Sequence, residues 1–308
     1  MAREPTNVAA SVRARLQNLA RKQHANFQRV LTQYALERLL FRLSVSPHRE
    51  LFVLKGAMLY AAWLEDPFRT TLDLDLLSLA DRETARLLET IREVCAQPVA
   101  DDGLLFDTEN IFAAPFDEER THGAFRVRTS AQLGTAIIPV QIDIGFGDTV
   151  TPGPLELEYP VLLDQPTPTL YAYPRETVAA EKFEAIVALD LANSRMKDFY
   201  DLFAISRLFS FDGATLAAAI KATFETRVTT IPRERPPPLS QAFSEDPKKL
   251  QQWRSFITRD PLLVDEPDLR TVIGEVGKFI MPAALAALDH RQILGHWTSG
   301  GGWGPPSP

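Results

Sequence analysis

Apolar positions recur at spacings of three and four from residue 8 to residue 44. They run through Val12, Leu16 and Leu19, then Val30, Leu31, Tyr34, Leu36, Leu39, Leu40 and Leu43, a period that predicts helix. Pro47 ends it, and the apolar run Leu51–Leu54 predicts a buried strand. Gly56 opens a short apolar helix from Ala57 to Leu64, which Asp66 and Pro67 stop. Leu72–Leu79 reads as a strand, and Asp81 as the N-cap of a helix reaching about Gln97. Three further strands follow at Leu104–Phe112, Gly123–Gln132 and Ala136–Ile144, the last closing on a turn at Gly145–Asp148. The proline-rich stretch 150–174 carries no long period and reads as irregular. From Arg175 the pattern is helical over about 175–192, 196–210, 212–226, 245–258 and 266–292, interrupted by an extended, proline-rich segment at 231–238. The Gly/Pro/Ser-rich tail from Thr298 reads as disordered. The pattern thus predicts an α+β chain. A mixed-sheet domain with preceding helices fills 1–150, an irregular connection 151–174 and an all-α domain 175–295, and 296–308 form a disordered tail.

A length of 308 residues suits two domains, each able to bury a core. The single cysteine, Cys95, excludes an internal disulfide framework and fits a reducing compartment. The first residues lack the apolar segment of a secretory signal. No run reaches the ~18–20 apolar residues of a membrane span, so a cytoplasmic protein without a membrane partner is expected. Charge changes the picture more. Residues 1–50 hold nine Lys/Arg against three acids, a net of +6 in a chain of net −7, leaving −13 for the rest. Such a basic arm suits a polyphosphate backbone, or simply gives two helices a solvated face.

The densest chemistry lies in Pro67–Leu77. On a strand, Thr71, Asp73 and Asp75 share one face while Leu72, Leu74 and Leu76 take the other. Two carboxylates on one face suit a hard divalent cation, Mg²⁺ best with Mn²⁺ as an alternative, completed by water and phosphate oxygens. No Cys/His cluster points to zinc. Asp143 lies on the apolar strand ending at Ile144, where an inward carboxylate is costly unless paired or bound to metal. If that strand neighbours Asp73 and Asp75, three carboxylates converge; the alternative is a salt bridge to Arg126 or Arg128. Lys55-Gly56-Ala57 joins strand to helix, a place where backbone can approach a phosphate, or where Gly56 only makes a tight turn.

In the helical half, Lys182 falls in the apolar row of Val178 and Ile186, and Asp198 in that of Leu202 and Ile205, with Asp201 a turn along. A buried Lys182–Asp pair accounts for both rows; a lysine projecting into a phosphate cleft also does.

Four ordered blocks carry a resemblance. They are Leu54-Lys55-Gly56-Ala57, Arg69-Thr70-Thr71-Leu72-Asp73-Leu74-Asp75, Glu181-Lys182-Phe183-Glu184-Ala185 and Arg195-Met196-Lys197-Asp198-Phe199-Tyr200-Asp201. Over about residues 30–210 the chain resembles the AbiEii/MenT group of nucleotidyltransferase-fold toxins, departing from it in Gly56-Ala57, where a hydroxyl or second glycine is usual. The resemblance implies a polymerase β-like nucleotidyltransferase core joined to a helical domain. It implies transfer of a nucleotide from an NTP, CTP favoured, to an RNA 3′ end such as the tRNA acceptor stem, and an antitoxin encoded alongside. By the same likeness Asp73, Asp75 and Asp143 would hold Mg²⁺. Lys182 would neutralise the triphosphate with Asp198 beside it, and Lys55, Gly56, Ala57 and Arg69 would bind phosphates. A charge-adding modification of Thr70 or Thr71 would silence such a site. A D-x-D glycosyltransferase using a nucleotide-sugar and a non-catalytic partner-binding protein are the competing readings.

Overall fold

The structure, a computed structural model, describes residues 7–65, 71–116, 123–258, 267–289 and 295–305. These form two compact units, one from 7–65, 71–116, 123–147 and 155–172, the other from 148–154, 173–258, 267–289 and 295–305.

The first unit opens with helices α1 (Val8–Lys22) and α2 (Phe27–Val45). Each starts at an asparagine whose side chain accepts from a backbone N–H, Asn7 from Ala10 and Asn26 from Arg29. Then come β1 (Phe52–Lys55), α3 (Met58–Trp63), β2 (Leu74–Ser78), α4 (Thr84–Ala96), β3 (Leu104–Phe106), β4 (Phe112–Phe116), β5 (Ala124–Leu133) and β6 (Ala136–Phe146). Two short strands, β7 (Leu155–Glu158) and β8 (Thr169–Ala172), complete an eight-stranded mixed sheet. Its order is β3-β5-β6-β2-β1-β8-β7, with β4 also pairing β5. β2 runs parallel to β6 and β1 parallel to β8; the other pairings are antiparallel. The stretch expected to be an irregular connection therefore supplies two strands. Four-residue strands are too short to show a period, and their prolines stand outside them, at Pro152, Pro154, Pro160, Pro166, Pro168 and Pro174.

Other boundaries also differ from the pattern. The expected strand 104–112 breaks where Asp107 Oδ1 accepts from the N–H groups of Glu109 and Asn110, closing a turn. Glu83, not Asp81, precedes α4. Leu72 lies outside β2 and is half exposed, because the strand begins only at Leu74.

Arg38 and Arg42, counted in the basic arm, are buried. Arg42 forks onto Asp102 at 2.6 and 3.1 Å, and Arg38 stands 3.0 Å from Glu37 and donates to the Pro166 carbonyl. They neutralise buried acids and hold a loop, so among the described residues the exposed basic set narrows to Arg13, Arg15, Arg21 and Lys22 on α1, Arg3 lying outside them.

The second unit packs α5 (Arg175–Leu189), α6 (Met196–Leu208), α7 (Gly213–Thr226) and α10 (Leu269–Leu288) against one another, with α8 (Gln241–Glu245) on α10 and α9 (Pro247–Ile257) on α6. A two-residue strand, β9 (Phe211–Asp212), pairs with β10 (His296–Trp297). The tail expected to be disordered is folded as far as Pro305. Trp297 and Trp303 close with Phe211 and Phe279 into an aromatic cluster, and their indole N–H groups donate to the carbonyls of Ser206 and Phe279. Composition hid this, because two tryptophans outweigh the glycines around them. The pattern also missed a span by membrane criteria. Leu269–Leu288 is long and apolar enough to cross a bilayer, and most of it is buried in its own unit, as the core helix of a bundle would be.

Candidate active site

Four charged residues form one row across the first unit's sheet. Lys55 on β1 is the register partner of Asp75 on β2, Asp75 of Asp143 on β6, and Asp143 of Arg126 on β5. Cross-strand partners share a face, so the row reads plus, minus, minus, plus on one side of the sheet. The adjoining row Leu54, Leu76, Ile144 and Phe125 takes the opposite face and is buried. The alternation seen in sequence thus places apolar side chains in the core and concentrates charge on the other face.

Gly56, directly after β1, fixes how close that charge comes to the turn. Its φ of +72° is left-handed, and a Cβ built on it would stand 2.0 Å from Asp75 Oδ2. Glycine is needed there for its conformation and for the room it leaves the carboxylate. Asp73 precedes β2, and Thr71 Oγ1 donates to its Oδ1. Arg69 and Thr70 lie outside the described residues.

Asp143 does not stand open beside its neighbours. Arg126 Nε donates to Oδ1 at 2.7 Å and Nη2 to Oδ2 at 2.6 Å, so both oxygens are taken. This is the salt bridge that the sequence offered as the alternative. Its hydrogen bonds to Asp143, joined by the negative charges of Asp143, Asp73 and Asp75, hold the Arg126 guanidinium above its ordinary pKa despite its partial burial. Among the described residues, no three His, Cys, Asp or Glu side chains form a metal-ligand cluster, although Asp75 and Asp143 are register partners on neighbouring strands. The donor set nevertheless suits a hard cation. Asp73 and Asp75 offer only oxygen, two residues apart at the head of one strand.

In the second unit Lys182 is clasped by two buried aspartates, Nζ lying 3.0 Å from Asp198 Oδ1 and 2.6 Å from Asp201 Oδ2. Arg195 Nε is 2.8 Å from Asp198 Oδ2, close enough for an ion pair though not aligned as a hydrogen bond. Burial alone would raise the Asp198 pKa; the charges of Lys182 and Arg195 outweigh it and hold the carboxyl below its ordinary range. The two residues from separate helical rows therefore meet, as their placement in apolar stripes implied.

A second ionic knot escaped the sequence. Arg227, just past α7, reaches Asp148 at 2.9 Å, Glu181 at 2.8 Å and Glu184 at 2.8 Å. Burial lowers its pKa, but these carboxylates more than reverse that and raise it. Thr229 and Tyr173 add hydroxyl donors to Glu184 and Glu181. Glu181 flanks Lys182 on α5, so this knot braces the turn that carries the lysine. Nothing local marked Arg227, since its partners lie roughly 40 to 80 residues away in sequence.

The D-x-D segment thus leads into a strand inside the sheet, β2 between β6 and β1, with the glycine turn at Gly56 against its second aspartate. The family model "Nucleotidyl transferase AbiEii toxin, Type IV TA system" matches residues 38–275, and the chain belongs to that family. It is thus a nucleotidyl-transfer toxin, and a type IV system implies an antitoxin partner. Among solved structures, a protein described as a candidate nucleotidyltransferase from H. pylori is 16% identical with a TM-score of 0.50, covering 87% of this chain and 99% of that one. JHP933 from Helicobacter pylori is 18% identical with a TM-score of 0.49, covering 86% and 94%. No curated protein matches the chain in sequence.

Proposed function

We propose that the chain transfers a nucleoside monophosphate from an NTP, a pyrimidine in preference, to an RNA 3′ end such as the tRNA acceptor stem, and so blocks translation. The observation that carries this reading is Asp75 seated against the left-handed Gly56 turn, with Asp73 two residues before it, in a chain of the AbiEii family. In the reaction the RNA 3′-oxygen bonds to the α-phosphorus, the bond from that phosphorus to the β-phosphate oxygen breaks, and pyrophosphate leaves with the electron pair. Asp73 and Asp75 would hold Mg²⁺, or Mn²⁺ in its place, which would supply charge neutralisation for the triphosphate and a more acidic 3′-hydroxyl whose proton passes to water. Lys55 and the backbone at Gly56 and Ala57 bind phosphate oxygens, and Arg69 adds a further charge. Lys182 balances charge on the departing pyrophosphate. Asp198 positions Lys182 through the 3.0 Å contact, fixing its charge and rotamer. The exposed arginines of α1 take the RNA backbone. A cytoplasmic site of action follows from the RNA substrate.

The test supplies purified full-length protein with Mg²⁺, total RNA and each α-labelled NTP in turn. Label should enter RNA, most strongly from CTP, and a γ-label should not. Incorporation from the γ-position, or from none of the four, would contradict the reading.

A further inference from the structure

One flank of the Asp75–Asp143 pair is closed by Lys55 and the other by Arg126, so the row carries no net charge. The Arg126 end is the one built for exchange. Its side chain keeps 22% of its exposure against 10% for Asp143, and its guanidinium lies over the Phe116 ring at 3.8 Å from the centroid. A forked guanidinium–carboxylate pair uses both carboxylate oxygens. A cation ligated by Asp143 needs at least one of the same two oxygens. A cation there repels the guanidinium and draws on the same negative charge, so each weakens the other's hold on the carboxylate.

We propose that Arg126 is a resident counter-ion that competes with the divalent cation for Asp143, leaving Asp73 and Asp75 to take the cation first and yielding Asp143 only on displacement. The proposal rests on the metal-dependent reading above. A cation entering the neutral row makes it positive; a displaced Arg126 adds a second positive arm, resting on Phe116, to which a nucleotide's phosphates are the matching anion.

The test measures Mn²⁺ binding to the full-length protein without nucleotide, by calorimetry and by loss of the free Mn²⁺ electron-spin signal. Arg126→Met should bind Mn²⁺ about tenfold tighter than the unsubstituted protein, the scale of one charge-assisted contact released. Arg126→Lys, which cannot fork, should move the same way by less, and decides the matter if Arg126→Met does not fold. In an Asp143→Asn background the gain should vanish, because no shared carboxylate is left to contest. Equal affinity in the Arg126 variants overturns the proposal, as does the same tenfold gain in the Asp143→Asn background, which would reflect only a lost positive charge. If the unsubstituted protein binds Mn²⁺ and the Arg126 variants bind no tighter, this inference alone fails. If none of them binds Mn²⁺, it falls together with the metal-dependent reading.

Discussion

The carboxylate of Asp75 occupies the space that a side chain on Gly56 would need, a Cβ there falling 2.0 Å from Oδ2. Gly56→Ala therefore meets two penalties. The left-handed backbone costs an L-residue roughly 1–2 kcal/mol, and the new methyl must displace Asp75. Denaturant unfolding should show at least that loss, with nucleotide transfer falling further than stability. Gly56→Asn separates the two, since asparagine accepts positive φ better. It should recover part of the stability and none of the activity; full activity in Gly56→Asn would show that the contact with Asp75 is irrelevant.

Lys182 is both a candidate for chemistry and a counter-ion for two buried acids. Lys182→Met should cost about 3–5 kcal/mol at pH 7, because Asp198 and Asp201 keep their burial and lose a partner. Asp198 is held below its ordinary 3.8, so its stabilisation is present above that value and is lost as pH falls through the lower folded one. The deficit of Lys182→Met should accordingly shrink towards pH 4 as the orphaned acids take up protons. A deficit that does not change with pH would deny the charge pairing.

Burial pushes the Glu37 carboxyl from 4.5 up to about 7, against the opposing pull of Arg38 and the Leu162 N–H. Its stabilisation is complete below about 4.5, where folded and unfolded chains are both protonated, and is lost as pH rises through about 7. Glu37→Gln keeps an acceptor for Leu162 and removes the titration. Relative to that variant, the unsubstituted protein should lose about 3 kcal/mol between pH 4.5 and pH 7.5, at ~1.4 kcal/mol per unit. Parallel stability curves for the two proteins would contradict the assignment.

Trp297 ties the C-terminal segment to Ser206 and to the Phe279 ring while only 3% exposed. Trp297→Ala should destabilise the second unit by about 3–5 kcal/mol. An unchanged unfolding midpoint would mean that the segment is dispensable.

What the sequence showed followed the reach of each physical signal. Helices of 13 to 20 residues repeat their apolar period several times, so α2, α5, α6, α7 and α10 were legible. The strands β5 and β6 were legible too, the latter through the alternation of Ile142 and Ile144 about Asp143. β7 and β8 offer four residues each and no repeat to count. Among the candidate residues, Asp73 and Asp75 stood out by spacing, and Lys182 and Asp198 by polarity in apolar rows. Arg227 did not, since an ion pair across the chain leaves no local pattern. Arg38 and Arg42 misled for a related reason, their acids being invisible until the chain folds. Asp143 is the instructive case: its place on an apolar strand left a metal ligand and a salt bridge to Arg126 or Arg128 both open, and the fold supplies Arg126.

Nucleotidyl transfer to RNA is proposed for the Asp73–Asp75 segment, and loss of one carboxylate there tests it. The most direct measurement compares the unsubstituted protein with Asp75→Asn, both shown by circular dichroism to be folded, in transfer of α-labelled CTP to tRNA with Mg²⁺. Labelled tRNA from the first and none from the second is the predicted result; equal labelling by both would contradict the account.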